Sequence, residues 1–502
     1  MSELVKFIYN FHMMGYSAYK EKIVMEQKQK RIHFIGCKGV SMSSLMEIAS
    51  EKGSMVSGSD ALLGGHCDSN INKDLDLVVY SAAVGVDNIE LKKAKELGIK
   101  VMGRGEFLGQ VMGDFDTSIA IGGAHGKTST TAMMAEVLKE LNPKVHIGVD
   151  GDFRTKNSLA SSCHSERSEE SSLRPKKEKQ DNISFTTPVC SVPPVSIFIT
   201  EACEYKRSFL KLSPNIAVVL NMDLDHTDCY QSLDDAKNTF YEFIGRAKEV
   251  AIVGEDFENK NLLSLQAKQA RIIKVGLKNH CDIRAGLLKH DKNGCYDYCL
   301  FIHNKFKARI KLKVKGKHNV MNSLFTIAVA LELGLSLEQI KKGLKRFSGI
   351  GRRLERLGEI GNTAIFSDYA HHPKEIDCTI TSMRECGYEN LLICFEPHTY
   401  TRTQSFYKEF ATSLSKAEKI VLLPIFAARE NKISGVSSNL IFEHMKELGY
   451  DRAECIDDYM GVCEYVKEWL VNNDEEKSSA AVFMGAGTID KLAREFVDKL
   501  RT

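Results

Sequence analysis

No charge of either sign dominates this chain. Its 502 residues carry 68 Lys and Arg against 66 Asp and Glu, a formal net charge of +2, so nothing overall steers it toward nucleic acid or a membrane surface. No apolar run approaches the roughly 20 residues that span a bilayer. No Cys-x-x-Cys pair occurs among the 14 cysteines. Their scatter argues against a zinc ribbon or a disulfide framework and for a reducing, cytoplasmic setting. The N-terminus sets Lys6, Lys20, Glu21 and Lys22 around short apolar stretches and lacks the core and cleavage site of a signal peptide. No internal repeat is visible. What is present is an ordinary globular balance, 43% hydrophobic and 27% charged, with length for about three domains.

Residues 1–30 read as an extension, with Met25 an equally acceptable start. From residue 31 strands and helices alternate. Strands are expected at 31–35, 56–59, 77–81 and 101–102, with helices at 43–52 and 88–97, a pattern that predicts parallel α/β layers. Residues 155–195 interrupt it. From 161 onward the segment is polar, charged and aperiodic and cannot bury enough apolar surface to offset its ordering entropy, so a disordered insertion is expected. Basic residues at 174–179 read as a solvated loop rather than a nucleic-acid patch. Deleting residues 161–190 is expected to leave folding and activity intact; loss of either on a melting curve or a rate assay would make the segment part of the working structure. The pattern resumes with strands at 195–200 and 216–220 and an apolar helix at 323–333. After a composition change near 347–353 come strands at 363–367, 391–395, 420–424 and 481–484 and helices at 374–384, 403–414 and 489–500. The fold class is α/β in three domains: a Rossmann-like domain over 31–113, a central P-loop ATPase-type domain over 114–347 and a second Rossmann-like domain over 348–502.

Residues 119–131, Ile-Ala-Ile-Gly-Gly-Ala-His-Gly-Lys-Thr-Ser-Thr-Thr, run a strand through a glycine-rich turn into a helix. Backbone N–H groups from Gly122 through Gly126 (Gly122, Gly123, Ala124, His125, Gly126) and the helix start at Ser129 can hold phosphate oxygens. Lys127 adds a point charge and the Thr128 hydroxyl suits magnesium. The usual loop places a glycine at 121; Ile121 stands there, so this cradle is one residue shorter. The chain is therefore expected to bind a nucleoside triphosphate. The first loop, Gly36 to Ser41, keeps one of the three glycines of a dinucleotide fingerprint, with Lys38 and Ser41 in the other places. With Gly39, Ser59 and Asp60 it reads as a crevice for a phosphate-bearing ligand, or as a tight turn with none.

Glu201 closes a strand where ligands of open α/β sheets gather, and suits magnesium or is simply solvated. Asp223, Asp225, His226 and Asp228 make either a second metal position or an acidic helix cap. His318 and Asn319 can hydrogen-bond a base. Arg352-Arg353, the run Asp368-Tyr369-Ala370-His371-His372-Pro373 and the run Glu396 to Thr403, with His398 and Arg402, gather at adjacent strand ends. They are expected to face one crevice, its arginines suited to carboxylate and phosphate.

Taken in order, Gly-Gly-x-His-Gly-Lys-Thr, Glu-Ala-x-Glu, Asn-x-x-x-Asp-His-x-Asp, Gly-x-His-Asn-x-x-Asn, Gly-Arg-Arg, Asp-Tyr-x-His-His-Pro and Pro-His-x-x-Thr-Arg-Thr resemble the Mur ligases of peptidoglycan synthesis. The resemblance covers residues 31 to about 500 apart from the insertion, and its last two motifs point to the alanine-adding activity. It implies a cytoplasmic enzyme, monomer or homodimer, that uses ATP and Mg2+ to join L-alanine to the lactyl carboxylate of UDP-N-acetylmuramate through an acyl phosphate, with no nucleic-acid or membrane partner. Murein tripeptide ligation in cell-wall recycling, or a catalytically silent ligand-binding relative, are the alternatives. By the same resemblance Lys127 would hold the β/γ-phosphates. Thr128 and Glu201 would ligate one magnesium and His226 a second. His318, Asn319, Arg353 and Asp368 would enclose ATP. Tyr369, His371, His372, His398 and Arg402 would shape the alanine and carboxylate site. Gly36, Gly39, Ser59 and Asp60 would hold the uridine diphosphate, with Glu204 and Ser208 on the sugar side. Lys127, Glu201, His226, His371 and Arg402 are the implied catalytic set. The chain departs from the family at Lys38, Ser41 and Ser44, where glycines are usual, and at Cys203, Tyr205 and Lys206.

Overall fold

The computed structural model describes residues 29–147, 195–223, 225, 229–259, 263, 267, 270–428, 430–472 and 476–501. Nearly all of the expected extension and of the expected insertion, together with His226 and Asp228, lie outside the described residues. The chain forms two compact units, one ending at Leu108 and the other running from Gly109 to Thr502.

The first unit is a four-stranded parallel sheet in the order β2-β1-β3-β4, built from β1 (Arg31–Ile35), β2 (Met55–Ser59), β3 (Leu77–Tyr80) and β4 (Lys100–Gly103). Helices Val40–Glu51 and Ile89–Glu96 lie where the sequence periodicity puts them. The strands of this sheet bury Phe34, Ile35, Val78 and Val79 completely, as a parallel sheet covered on both faces requires. At the strand ends the Gly36 N–H donates to the Ser59 carbonyl at 2.8 Å. The Asp60 carboxylate accepts the Lys38 N–H at 3.0 Å and the Leu62 N–H at 3.1 Å. Asp60 thus fixes the first loop instead of standing free. Ser59 is buried, and its hydroxyl donates to the Glu90 carboxylate.

Glu90 is fully buried and also accepts from the Asn70 amide at 2.6 Å and the Cys67 N–H at 3.2 Å. Burial alone would raise its pKa; the Ser59, Asn70 and Cys67 hydrogen bonds outweigh that and hold the carboxyl below its ordinary 4.5. Burial pushes neighbouring His33 below its ordinary 6.5, against the pull of Glu90. In both cases the unfolded chain takes up a proton that the folded unit resists. Stability therefore falls as pH drops, below 6.5 through His33 and below 4.5 through Glu90. Melting curves between pH 7 and 4 are expected to show that loss. Glu90→Gln is expected to remove its lower part, and an unchanged profile in the variant would contradict the assignment.

The second unit holds two sheets. The larger has nine strands in the order β13-β12-β11-β10-β9-β8-β5-β7-β6. Its strands are β5 (Thr117–Gly122), β6 (Lys144–His146), β7 (Ile197–Glu201), β8 (Ile216–Val219), β9 (Val250–Gly254), β10 (Arg271–Gly276), β11 (Ile283–His290), β12 (Cys295–Ile302) and β13 (Lys305–Lys315). β5 sits between β7 and β8, with all three parallel. The smaller sheet runs β14-β15-β19-β16-β17-β18, from β14 (Glu355–Ile360), β15 (Thr363–Asp368), β16 (Asn390–Glu396), β17 (Lys419–Leu422), β18 (Ala453–Cys455) and β19 (Ser479–Gly485). Its core lies on both faces, around Phe366, Phe395 and Phe410 on one and Val421, Phe483 and Val466 on the other.

Among the described residues, the strand–helix alternation expected from the sequence fails from β10 to β13, where no helix intervenes, and again at β14 and β15. β11, β12 and β13 follow one another as antiparallel hairpins, and β14 pairs antiparallel with β15. β13 explains itself: Ile310, Leu312 and Val314 are buried while Arg309, Lys311 and Lys313 are exposed, the two-residue period of a strand with one wet face. A further correction concerns the helix expected at 323–333. It runs His318–Glu332, so His318 and Asn319 occupy its first turn instead of preceding it.

Candidate active site

β5 is buried from Ser118 to Gly122, which fixes the strand so that the chain can turn sharply at its end. Gly123 has φ +142° and Gly126 φ +83°. A Cβ on Gly126 would lie 2.9 Å from Asn322 Oδ1, and one on Gly123 3.0 Å from Leu220 Cβ. Only glycine suits either position. The helix Lys127–Val137 starts directly after this turn, with Thr128 buried in its first turn. Glu201 ends β7 opposite Ile121 in the register, so its carboxylate comes from the strand end beside the cradle.

Lys127 folds back across the loop. Its Nζ donates to the carbonyls of Gly123 at 2.6 Å and Ala124 at 3.0 Å and pairs with Glu204 at 2.9 Å. Burial would lower its pKa, but the Glu204 carboxylate raises it above the ordinary lysine value, so the ammonium keeps its charge. Ser208 donates to the Cys203 carbonyl at 2.8 Å and the Tyr230 hydroxyl to the Glu204 carbonyl at 2.6 Å. Both contacts brace a turn in which Lys206 and Arg207 hold left-handed φ of 50° and 55°.

A cavity of about 430 Å³ opens beside the cradle, lined by Gly126, His318, Asn319, Arg353, Asp368 and Glu375 among others. That is a size for a small-molecule ligand. Hydrogen bonds tie its wall to the cradle helix: Thr130 donates to Asn322, Asn322 to Asn319 at 3.0 Å, and Asn319 lies 3.1 Å from His318 Nε2. Loss of hydration around the His318 ring, then the Arg353 guanidinium, disfavour the charged form and push its pKa down to about 4, although the residue as a whole keeps an exposed edge toward the cavity. Asp368 accepts the Leu354 N–H at 2.6 Å and the Ala370 N–H at 2.8 Å. It pins the turn that presents Arg353, while Arg352 and Arg353 stack on Tyr369 at 4.7 and 4.9 Å.

The larger and smaller sheets meet here through charge. His125 Nε2 lies 3.3 Å from Asp223 and Nδ1 3.2 Å from Glu375. Burial would lower this imidazole, but the two carboxylates override it and push its pKa up to about 9. Lys374 pairs with Asp223 at 2.7 Å and Arg402 with Asp225 at 2.7 Å, the latter pair buried. His398 Nδ1 sits 3.1 Å from Arg402, and Glu375 lies 3.3 Å from His371. Burial holds His371 near pKa 4 against the opposing Glu375. The acidic helix-cap reading of Asp223 and Asp225 is thereby corrected: Ser232 caps the next described helix, and the two aspartates meet Lys374 and Arg402, cations on helices that follow strands of the smaller sheet. His372 caps the helix Pro373–Glu385, its ring 4.9 Å from that of His125.

Lys374, Glu375 and the pairing of Asp223 and Asp225 went unmarked in the sequence. The available signal was Pro373, which starts a helix directly at a strand's carboxyl end, where polar residues gather at a crevice. Gly36, Gly39, Ser59 and Asp60 belong to the first unit, where the Gly39 N–H donates to the Gly36 carbonyl at 3.4 Å within the same loop.

A glycine–lysine–threonine phosphate cradle that opens on a cavity walled by a second α/β sheet defines a nucleoside-triphosphate-dependent enzyme. The chain belongs to the Mur ligase family. Residues 31–116 match the Mur ligase family catalytic domain, residues 121–330 the Mur ligase middle domain, and residues 352–487 the Mur ligase glutamate ligase domain. The UDP-N-acetylmuramate–L-alanine ligase of Acetivibrio thermocellus is 36% identical over 494 residues, covering 95% of this chain and 97% of the relative. The enzyme of that name from Clostridium botulinum strain Loch Maree is 34% identical, covering 94% and 99%. Among solved structures, the UDP-N-acetylmuramate-alanine ligase of Thermotoga maritima superposes with a TM-score of 0.69 at 23% identity, covering 94% and 99%. A murein peptide ligase from Psychrobacter arcticus superposes at 0.61 with 20% identity, again covering 94% and 99%. At those identities the structures speak to the fold alone.

Proposed function

We propose that this chain uses ATP to join L-alanine to the lactyl carboxylate of UDP-N-acetylmuramate, giving UDP-N-acetylmuramoyl-L-alanine, ADP and phosphate for peptidoglycan synthesis. The observation that carries it is the full-length similarity to relatives of that name, 36% identity across 95% of the chain. The site supplies the chemistry. A carboxylate is a poor electrophile because its leaving group would be oxide. Transfer of the γ-phosphoryl group makes an acyl phosphate; the alanine amine attacks it, and the tetrahedral intermediate expels phosphate. The protein's part is positioning and charge neutralisation.

In this reading Lys127 exchanges Glu204 for the β/γ-phosphates, and Gly122 through Ser129 cradle them. His318, Asn319 and Arg353 contact the nucleotide, with Asp368 holding Arg353 in place. Arg402, His398, His371 and Tyr369 shape the side that receives alanine and the acyl group. His371 Nδ1 lies 3.0 Å from the Tyr369 carbonyl, so Nδ1 carries the proton and the Nε2 lone pair is left to orient an amine. Gly36, Gly39 and the Ser59–Asp60 turn hold the uridine diphosphate. The hydroxyl of Thr128 and the carboxylate of Glu201, hard oxygens on neighbouring elements, suit one Mg2+, and His226, which lies outside the described residues, is assigned to a second. When bound, that ion neutralises phosphate charge. We assign the UDP-sugar to residues 31–113, ATP to 114–347 and the amino acid to 348–502, and place the reaction in the cytoplasm. No described helix is long and apolar enough to cross a membrane.

Phosphate release from ATP, Mg2+ and UDP-N-acetylmuramate, with each amino acid in turn, tests the proposal. Release is expected to depend on L-alanine. Release with the L-alanine-containing tripeptide but not with alanine would contradict it in favour of a recycling ligase.

A further inference from the structure

His125, Asp223 and His372 offer three metal-ligating atoms that lie within 4.8 Å of one another, and ligation of alanine assigns them no joint task. Two features make the set more than a chance cluster. His372 is 3% exposed, and its buried Nε2 has no hydrogen-bond partner among the described residues. Such an orphan is costly unless something occupies it. Second, Glu375 sits 3.2 Å from His125 Nδ1, which leaves Nε2, the nitrogen facing Asp223, as the one to bind. A carboxylate behind a histidine is the arrangement that orients metal-ligating imidazoles and raises their basicity.

We propose that His125, Asp223 and His372 form a site for a borderline transition-metal ion of the Zn2+ class, separate from the phosphate-bound magnesium. Two imidazoles and one carboxylate, with a fourth position left to water, are a donor set for zinc, whereas Mg2+ prefers oxygen ligands. Binding releases the His125 Nε2 proton, moves the His372 proton from Nε2 to Nδ1 at the expense of the long cap contact from the Lys374 N–H at 3.4 Å, and displaces the Lys374 ammonium from Asp223, so the ion takes over a place now filled by two cations. His125 and Asp223 follow β5 and β8 of the larger sheet of the second unit, and His372 follows β15 of the smaller. The ion therefore staples the two walls of the cavity, and Zn2+ slows turnover even at saturating Mg2+.

The test reads the metal itself, so it stands or falls apart from alanine ligation. The full-length protein, in excess Mg2+, is titrated with Co2+ and followed by visible absorption. One equivalent is expected to give the d–d bands of a four-coordinate nitrogen–oxygen site, and Zn2+ to abolish them. His372→Asn keeps a helix-capping side chain and is expected to lose the bands, as is Asp223→Asn. Glu375→Gln is expected to keep them with affinity weakened roughly tenfold or more. No bands in the wild type, a sulfur-to-cobalt charge-transfer band, or bands that survive both ligand substitutions would overturn the proposal.

Discussion

Lys127→Ala is expected to lower turnover on the order of 10³-fold or more, the scale of losing a preorganised charge contact to a transferring phosphoryl group. The structure adds a second effect. Lys127 is the cation paired with Glu204, whose side chain is 4% exposed, and removing that cation from a buried carboxylate is expected to cost about 3 kcal/mol of stability. The two effects separate in the double variant. Lys127→Ala with Glu204→Gln is expected to recover most of the melting temperature and none of the turnover. Unchanged turnover in the single variant would remove Lys127 from the phosphate site. Recovery of turnover in the double would mean that Lys127 serves only to neutralise Glu204.

Arg402→Ala has the second large effect. Arg402 is buried, donates to Asp225 from Nε at 3.2 Å and Nη2 at 2.7 Å, and lies 3.1 Å from His398. It joins the two sheets of the second unit and borders the side assigned to alanine. Truncation is expected to cost about 3–5 kcal/mol, because it leaves Asp225 buried without this partner, and to raise the KM for alanine. Arg402→Lys is expected to fall between, since a lysine cannot reproduce a guanidinium's fork of donors. A double-mutant cycle with Asp225→Asn measures the coupling; a coupling near zero with an unchanged KM would make the pair incidental.

The parts of this molecule legible in its sequence are those whose physics is local. The cradle reads directly because strand, Gly122, Gly123, Gly126, Lys127 and helix are consecutive. β1 through β4 read from short apolar runs between turns. β13 escaped because a lysine or arginine at every second position looks like a charged segment until its alternation is followed in register. The charge network around His125 escaped for a different reason. Asp225 and Arg402 lie 177 positions apart, and His125 and Glu375 lie 250 apart. A carboxylate after a strand carries no mark of which distant cation it will meet. Ser59 was legible as part of a crevice, but its partner Glu90 was not, since a glutamate in a helix's first turn reads as an ordinary favourable charge there.

The central claim is that the cradle delivers phosphate to a carboxylate so that an amine can displace it. UDP-N-acetylmuramate carrying ¹⁸O in its lactyl carboxylate, turned over with ATP and L-alanine, tests this directly by mass spectrometry of the released phosphate. One ¹⁸O per phosphate is expected, because the bridging oxygen of the acyl phosphate leaves with phosphorus. Phosphate free of ¹⁸O, alongside formation of the alanyl product, would contradict the account.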